Sequence, residues 1–250
     1  MSLGVIAYDE LQQHKGLFLP HGVDGAGFHN SIYRGKFLGN EVMSEQWDRI
    51  ADGTFRDMYI GDYWKINGTT YLIAAFNYYY NTGDSLLREN HITLVPAGRL
   101  YKHRMNPGNT TEGGYVGSDM YTTGLSQAKS TIHADFPGHV ITHRRYLSNA
   151  VADGQASAVA WFDSDVELMN EVMAFGSVVS GKGGRYNIGT EKSQLPLFAL
   201  RPDLLNIGAA WWLRDVYSAI SFARVSSYGF ADVYPASNIL GVRPVFSISA

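Results

Sequence analysis

The sequence predicts an α+β protein, with helical periodicity in the middle of the chain and strand-like runs towards both ends. The 27 glycines and an aromatic content of 13% favour many turns and short strands over a helical bundle. The third observation is the dipeptide Asn67-Gly68, which separates two β-branched and aromatic runs. Its residues supply the two positive φ values of a tight turn, so 59–66 and 69–77 should pair as a β-hairpin.

Element by element, residues 1–40 are rich in Gly and His without periodicity, most clearly at 21–29 (HGVDGAGFH), and predict an irregular N-terminal arm. Residues 41–250 then form a single domain. A short helix follows Ser44 as N-cap, with Trp47 and Ile50 inward and Gly53 just past its end. After the hairpin, 91–96 (HITLVP) reads as a strand buried on both faces. Ser118 can cap a helix whose apolar stripe is Tyr121, Leu125, Ala128 and Ile132. A shorter helical piece is expected over 144–151. A second amphipathic helix starts at a capping box of Ser164 and Glu167, buries Val166, Met169 and Met173, and stops at Gly176. The polar, Gly-rich run 178–191 predicts an exposed loop, and strands are expected from Leu195 onward.

Bulk properties exclude several classes of function. A net charge of -3 offers no field for nucleic acid. No run approaches the 18 or so apolar residues of a spanning helix, so no membrane insertion is expected. Met1 to Leu11 lacks the basic start and apolar core of a secretory leader. Cysteine is absent, which removes disulfides, thiolate metal sites and Cys nucleophiles together.

Catalytic patterns are equally scarce. The run Gly181-Lys182-Gly183-Gly184 has neither the strand before it nor the apolar helix after it that a phosphate cradle requires. His139 and His143 share a face, but two ligands do not complete a zinc site and the residues between them are β-branched. Asp163, Asp165 and Glu167 fall at the expected helix start, where capping explains them. Ser193 and Ser227 lack a nucleophile-elbow context. The expectation is a protein without metal, cofactor or catalytic residues.

The segment 211–246 carries the most information. It opens Trp211-Trp212-Leu213-Arg214-Asp215 and closes Gly241-Val242-Arg243-Pro244-Val245-Phe246. Arg214, Asp215 and Arg243 lie among apolar neighbours, and a buried charge needs a partner. Asp215 is therefore expected to pair with Arg214 or Arg243 and tie the two ends together, with Trp211 and Trp212 packed beside them. Between these ends, 217–238 is written mostly in Tyr, Phe, Ser, Ala, Val and Gly. Rigid aromatics among small adaptable residues compose binding loops. The same composition also fits a buried pair of aromatic strands.

The tail pattern W-L-R-D followed by G-V-R-P resembles bacterial and prophage proteins with a C-type lectin-like fold. The runs 28–36 (FHNSIYRGK), 60–64 (IGDYW), 166–171 (VELMNE) and 192–198 (KSQLPLF) are similar to a phage tail-associated family of Gram-positive hosts. The resemblance implies a C-type lectin-like domain with paired terminal strands, two flanking helices and long loops. It implies a non-enzymatic phage or prophage tail component, in the virion or, from a prophage, in the bacterial cytoplasm. Its partners would be a host-surface protein or glycan, other phage structural proteins, and further copies of itself, as in a trimer.

The residues expected to grip the ligand are Tyr217, Phe222, Arg224, Ser226, Tyr228, Phe230, Asp232, Tyr234 and Asn238. A structural tail or baseplate subunit that buries this aromatic surface on assembly is the alternative. A glycan-active enzyme is a third. The calcium-site motifs found elsewhere in the lectin-like fold are absent, which counts against calcium-dependent sugar binding without deciding it, and the absence of cysteine excludes cysteine-based oxidase chemistry.

Overall fold

The computed structural model describes residues 25–250, and these form a mixed α+β domain. A short helix, α1 (Ala26–His29), leads into β1 (Phe37–Gly39) and α2 (Ser44–Ala51). The hairpin β2 (Tyr63–Ile66) and β3 (Thr69–Phe76) follows, then β4 (Ile92–Pro96) and β5 (Tyr101–His103). A π-helical turn, Met120–Gly124, runs into α3 (Ser126–Asp135). Next come β6 (His143–Ala152), β7 (Gln155–Ser164), β8 (Val166–Leu168) and the short helices α4 (Glu171–Phe175), α5 (Gly184–Asn187) and α6 (Pro196–Leu200). A 3₁₀ turn, Pro202–Leu205, precedes β9 (Trp211–Val216), β10 (Ser221–Val225), β11 (Ala231–Pro235), β12 (Leu240–Val242) and β13 (Pro244–Ile248).

The strands make a six-stranded sheet ordered β1-β2-β3-β4-β13-β8, a five-stranded sheet ordered β11-β10-β9-β12-β5, and the separate ribbon β6-β7. One core runs between them. Trp64, Tyr71, Ile73, Leu94 and Phe246 of the first sheet and Trp211, Trp212, Leu213 and Phe222 of the second are all fully buried in the same cluster. The two sheets are joined covalently where β12 passes into β13 with Arg243 alone between them.

Several expectations hold. Asn67 and Gly68 have φ of 47° and 86°, and β2 and β3 pair in register from Ile66 with Thr69 to Tyr63 with Leu72. Every residue of β4 is buried. Ser118 Oγ accepts the Tyr121 amide at 3.2 Å, and Leu125, Ala128 and Ile132 are buried, although the helix is broken at Leu125 into a π-helical turn and α3.

Others are corrected. Among the described residues the first and last strands, β1 and β13, share a sheet but do not pair, because β2, β3 and β4 lie between them. Of the expected arm, residues 1–24 lie outside the described residues. Residues 25–40 belong to the domain: His29 is buried, Asn30 caps the Phe76 amide at 2.8 Å, and β1 pairs with β2. Met43, not Ser44, occupies the N-cap of α2, and Gln46 Oε1 accepts its amide at 2.9 Å.

The piece at 144–151 is a strand rather than a helix. Its hairpin turn Asp153-Gly154 carries φ of 51° and 71°, the same chemistry as Asn67-Gly68. The supposed helix start at Ser164 is also a strand, because β8 pairs with β13. Ser164 Oγ and Glu167 Oε1 do hydrogen-bond, but the helix begins at Asn170, whose side chain accepts the Met173 amide at 2.8 Å. It ends at Gly176 in the left-handed region, as expected.

Candidate functional site

The segment 217–238 folds as a β-hairpin at the edge of the five-stranded sheet. Strand β10 pairs with β11 from Ser221 with Pro235 to Val225 with Ala231, and β11 has no neighbour on its other side among the described residues. The turn at 226–230 is fixed by its own backbone. Ser226 N donates to Phe230 O at 2.8 Å, Gly229 N donates to Ser226 O at 3.0 Å, and Ser226 Oγ accepts the Phe230 amide at 3.1 Å. Gly229, at φ 87°, lies so close to Asn206 that a Cβ there would sit 3.0 Å from its backbone nitrogen. The turn is therefore seated, while Tyr228 and Phe230 project from it at 75% and 71% exposure. They overhang a cleft of about 570 Å³ walled by Phe175, Val179, Pro202 and Leu205, with Asp203 and Asn206 at its rim.

The structure divides the nine expected contact residues into four groups. Ser226, Tyr228 and Phe230 form the turn. Arg224, Asp232 and Tyr234 lie on one face behind it and are already engaged with each other. Arg224 Nε donates to Asp232 at 3.0 Å and its guanidinium lies 4.0 Å from the Tyr234 ring centre. Tyr217 and Asn238 stand at the opposite end of the hairpin, Tyr217 beneath Lys182 and Asn238 bonded to Pro235 O at 3.2 Å. Phe222 is corrected outright: it is fully buried and cannot meet a ligand.

The expected pairing of Asp215 with Arg214 or Arg243 is also corrected. Arg214 and Arg145 both bind Glu191, Arg145 Nη1 at 2.5 Å, and all three side chains are in the core. Burial alone would raise the Glu191 carboxyl, but the two guanidinium groups outweigh it and hold it down at about 2. Asp215 instead accepts the Glu171 amide at 2.7 Å, and burial beside the Glu171 charge pushes its own carboxyl well up. Arg243 makes no ion pair among the described residues. It donates to Pro96 O and Leu204 O, both at 2.9 Å, and lies against Phe198 and Trp211.

Trp211 and Trp212 are buried as expected, each with its indole N–H donated to a backbone carbonyl. The loop 178–191 is less open than expected, since Asn187 and Glu191 at its far end are buried. Sequence reasoning missed Arg145 and Glu191 because their neighbours are polar; in the structure burial alternates along 143–147 and puts Arg145 on the inward face, a pattern the residue types there do not display.

No group of three or more His, Asp or Glu side chains suited to a metal occurs among the described residues, and His139 is stacked on Trp47 at 3.8 Å. Comparison with protein-family models, with curated proteins and with solved structures returns no match for this chain.

Proposed function

We propose that the protein is a non-enzymatic binding module that meets a macromolecular ligand through Tyr228 and Phe230. The observation that carries this reading is the pair of largely exposed aromatic rings on a turn locked by hydrogen bonds. Adjoining large aromatic side chains exposed at one point form the kind of patch that marks an interaction site. A turn that is already ordered loses little further entropy on binding. The tail resemblance sets the proposed context: a phage or prophage tail component of C-type lectin-like kind, recognising a protein or glycan on a Gram-positive host. In support, the two signature segments are neighbours, with Gly241 of G-V-R-P opposite Trp211 of W-L-R-D.

The test is co-sedimentation of the purified protein with Gram-positive cell envelopes, compared with Tyr228→Ala and Phe230→Ala. Each variant should bind about 30-fold more weakly, the size of an aromatic hot spot, with an unchanged thermal midpoint. Equal retention of both variants would discard the reading. The edge of β11, unpaired among the described residues, favours a second reading, a tail subunit that assembles through this strand. Oligomers that persist at low protein concentration and dissociate in the Phe230→Ala variant would select it.

A further inference from the structure

A second pocket, of about 740 Å³, lies away from this hairpin, between the β6-β7 ribbon and the segment 185–192. Tyr146 and Trp161 are cross-strand partners on the ribbon, and their rings lie 4.8 Å apart at an angle of 37°. Arg185 and Lys192 line the same pocket from the other wall, and Asn81 and Thr190 complete it.

The walls are held together from below. Arg145, the neighbour of Tyr146, is bonded to Glu191, the neighbour of Lys192, at 2.5 Å in the core. Gly189 touches the ribbon so closely that a Cβ would come within 2.3 Å of Tyr146 O. The pocket is therefore a built feature and not a gap between loose loops.

Its charge is unbalanced. The nearby Arg144 is neutralised by Asp84 and Asp163, and Arg145 and Arg214 by Glu191. Arg185 and Lys192 meet no carboxylate among the described residues; Arg185 lies over the ring of its neighbour Tyr186 and donates to its hydroxyl. Asn81 is exposed and its side-chain amide bonds to no other described residue, while the Thr190 hydroxyl also lacks a partner.

We propose that this pocket binds a sugar ring that carries an anionic substituent. The C–H face of the ring packs on Trp161 and Tyr146, its hydroxyls meet the Asn81 amide, and the anion is taken by Arg185 and Lys192. A one-sided aromatic platform with an amide at its rim suits a puckered ring. Two cations without carboxylate partners among the described residues suit a carboxylate or a phosphate group. This site is independent of the hairpin reading.

Titration of the full chain with hexuronates, hexose phosphates, a neutral methyl hexoside and inorganic phosphate tests it, by calorimetry and tryptophan fluorescence. Trp161 is one of two partly exposed tryptophans; Trp64, Trp211 and Trp212 are fully buried. At least one anionic sugar should bind about tenfold or more tightly than the neutral hexoside. A preference for uronates or for phosphates identifies which anion is used. Trp161→Ala should remove binding, and the double variant Arg185→Gln, Lys192→Gln should lower it to the level of the neutral sugar, both with unchanged circular dichroism. No response from any anionic sugar at about 10 mM would overturn the proposal. So would inorganic phosphate binding as tightly as the sugar phosphates, or equal binding of neutral and anionic sugars.

Discussion

Glu191 and Asp215 are two buried carboxylates in one core with opposite electrostatic circumstances. Glu191 stands between two guanidinium groups and keeps its charge. Removing one member of a buried, hydrogen-bonded ion network leaves the others unpaired and costs about 3–5 kcal/mol. Glu191→Gln should lose stability of that order in urea unfolding. Asp215 is pushed towards its neutral form, and its one hydrogen bond accepts the Glu171 amide. An amide can accept the same bond, so Asp215→Asn should fall within about 1 kcal/mol of the parent in the same measurement. The sequence showed that 211–215 contains buried charges, since Trp, Trp and Leu precede them. It could not show their partners, because Arg145 and Glu191 are separated from them by tens of residues and are written in polar surroundings.

At the scale of elements, the hairpin β10-β11 turns one composition into two environments. Phe222 points into the core and Phe230 into solvent, although both are phenylalanines on the same short ribbon. Phe222→Ala should cost about 3–5 kcal/mol through lost burial and the cavity left behind. Phe230→Ala should change stability by less than about 0.5 kcal/mol. Thermal and urea unfolding of the two variants check this difference directly. Element type was readable where turn chemistry spoke, as at Asn67-Gly68. Asp153-Gly154 is an equivalent turn, but the run 144–151 before it has no regular apolar alternation that would separate strand from helix. The Val166–Met173 stripe misled for a different reason. A strand followed by a one-turn helix, both buried on all sides, leaves the same apolar spacing as one amphipathic helix.

The interior as a whole is sensitive to acid. His91 Nε2 accepts the Tyr79 amide at 3.0 Å, and its Nδ1 lies 2.9 Å from the Glu89 carbonyl, which fits the neutral ring with the proton on Nδ1. Burial pushes its pKa down to about 4. A lowered histidine pKa contributes stability that is complete above the unfolded value near 6.5 and is lost as the pH falls towards 4. That contribution is about 3 kcal/mol. Glu191 extends the same trend below pH 4.5, whereas Asp215 works against it, since its raised pKa favours the folded state as the pH falls. Nitrogen-resolved NMR should find His91 neutral, with Nδ1 protonated, down to about pH 5. A midpoint near 6.5 would refute this environment. Class and core were thus visible in the pattern of apolar residues, while the order of strands was not, because pairing between distant segments leaves no local mark. That order has a consequence for how the protein is made. Strand β13 fills the place between β4 and β8, and β12 the place between β9 and β5, so a nascent chain still short of residue 240 can complete neither sheet. During synthesis, strand edges of both sheets stay unpaired until that last segment emerges, the condition under which exposed edges favour aggregation.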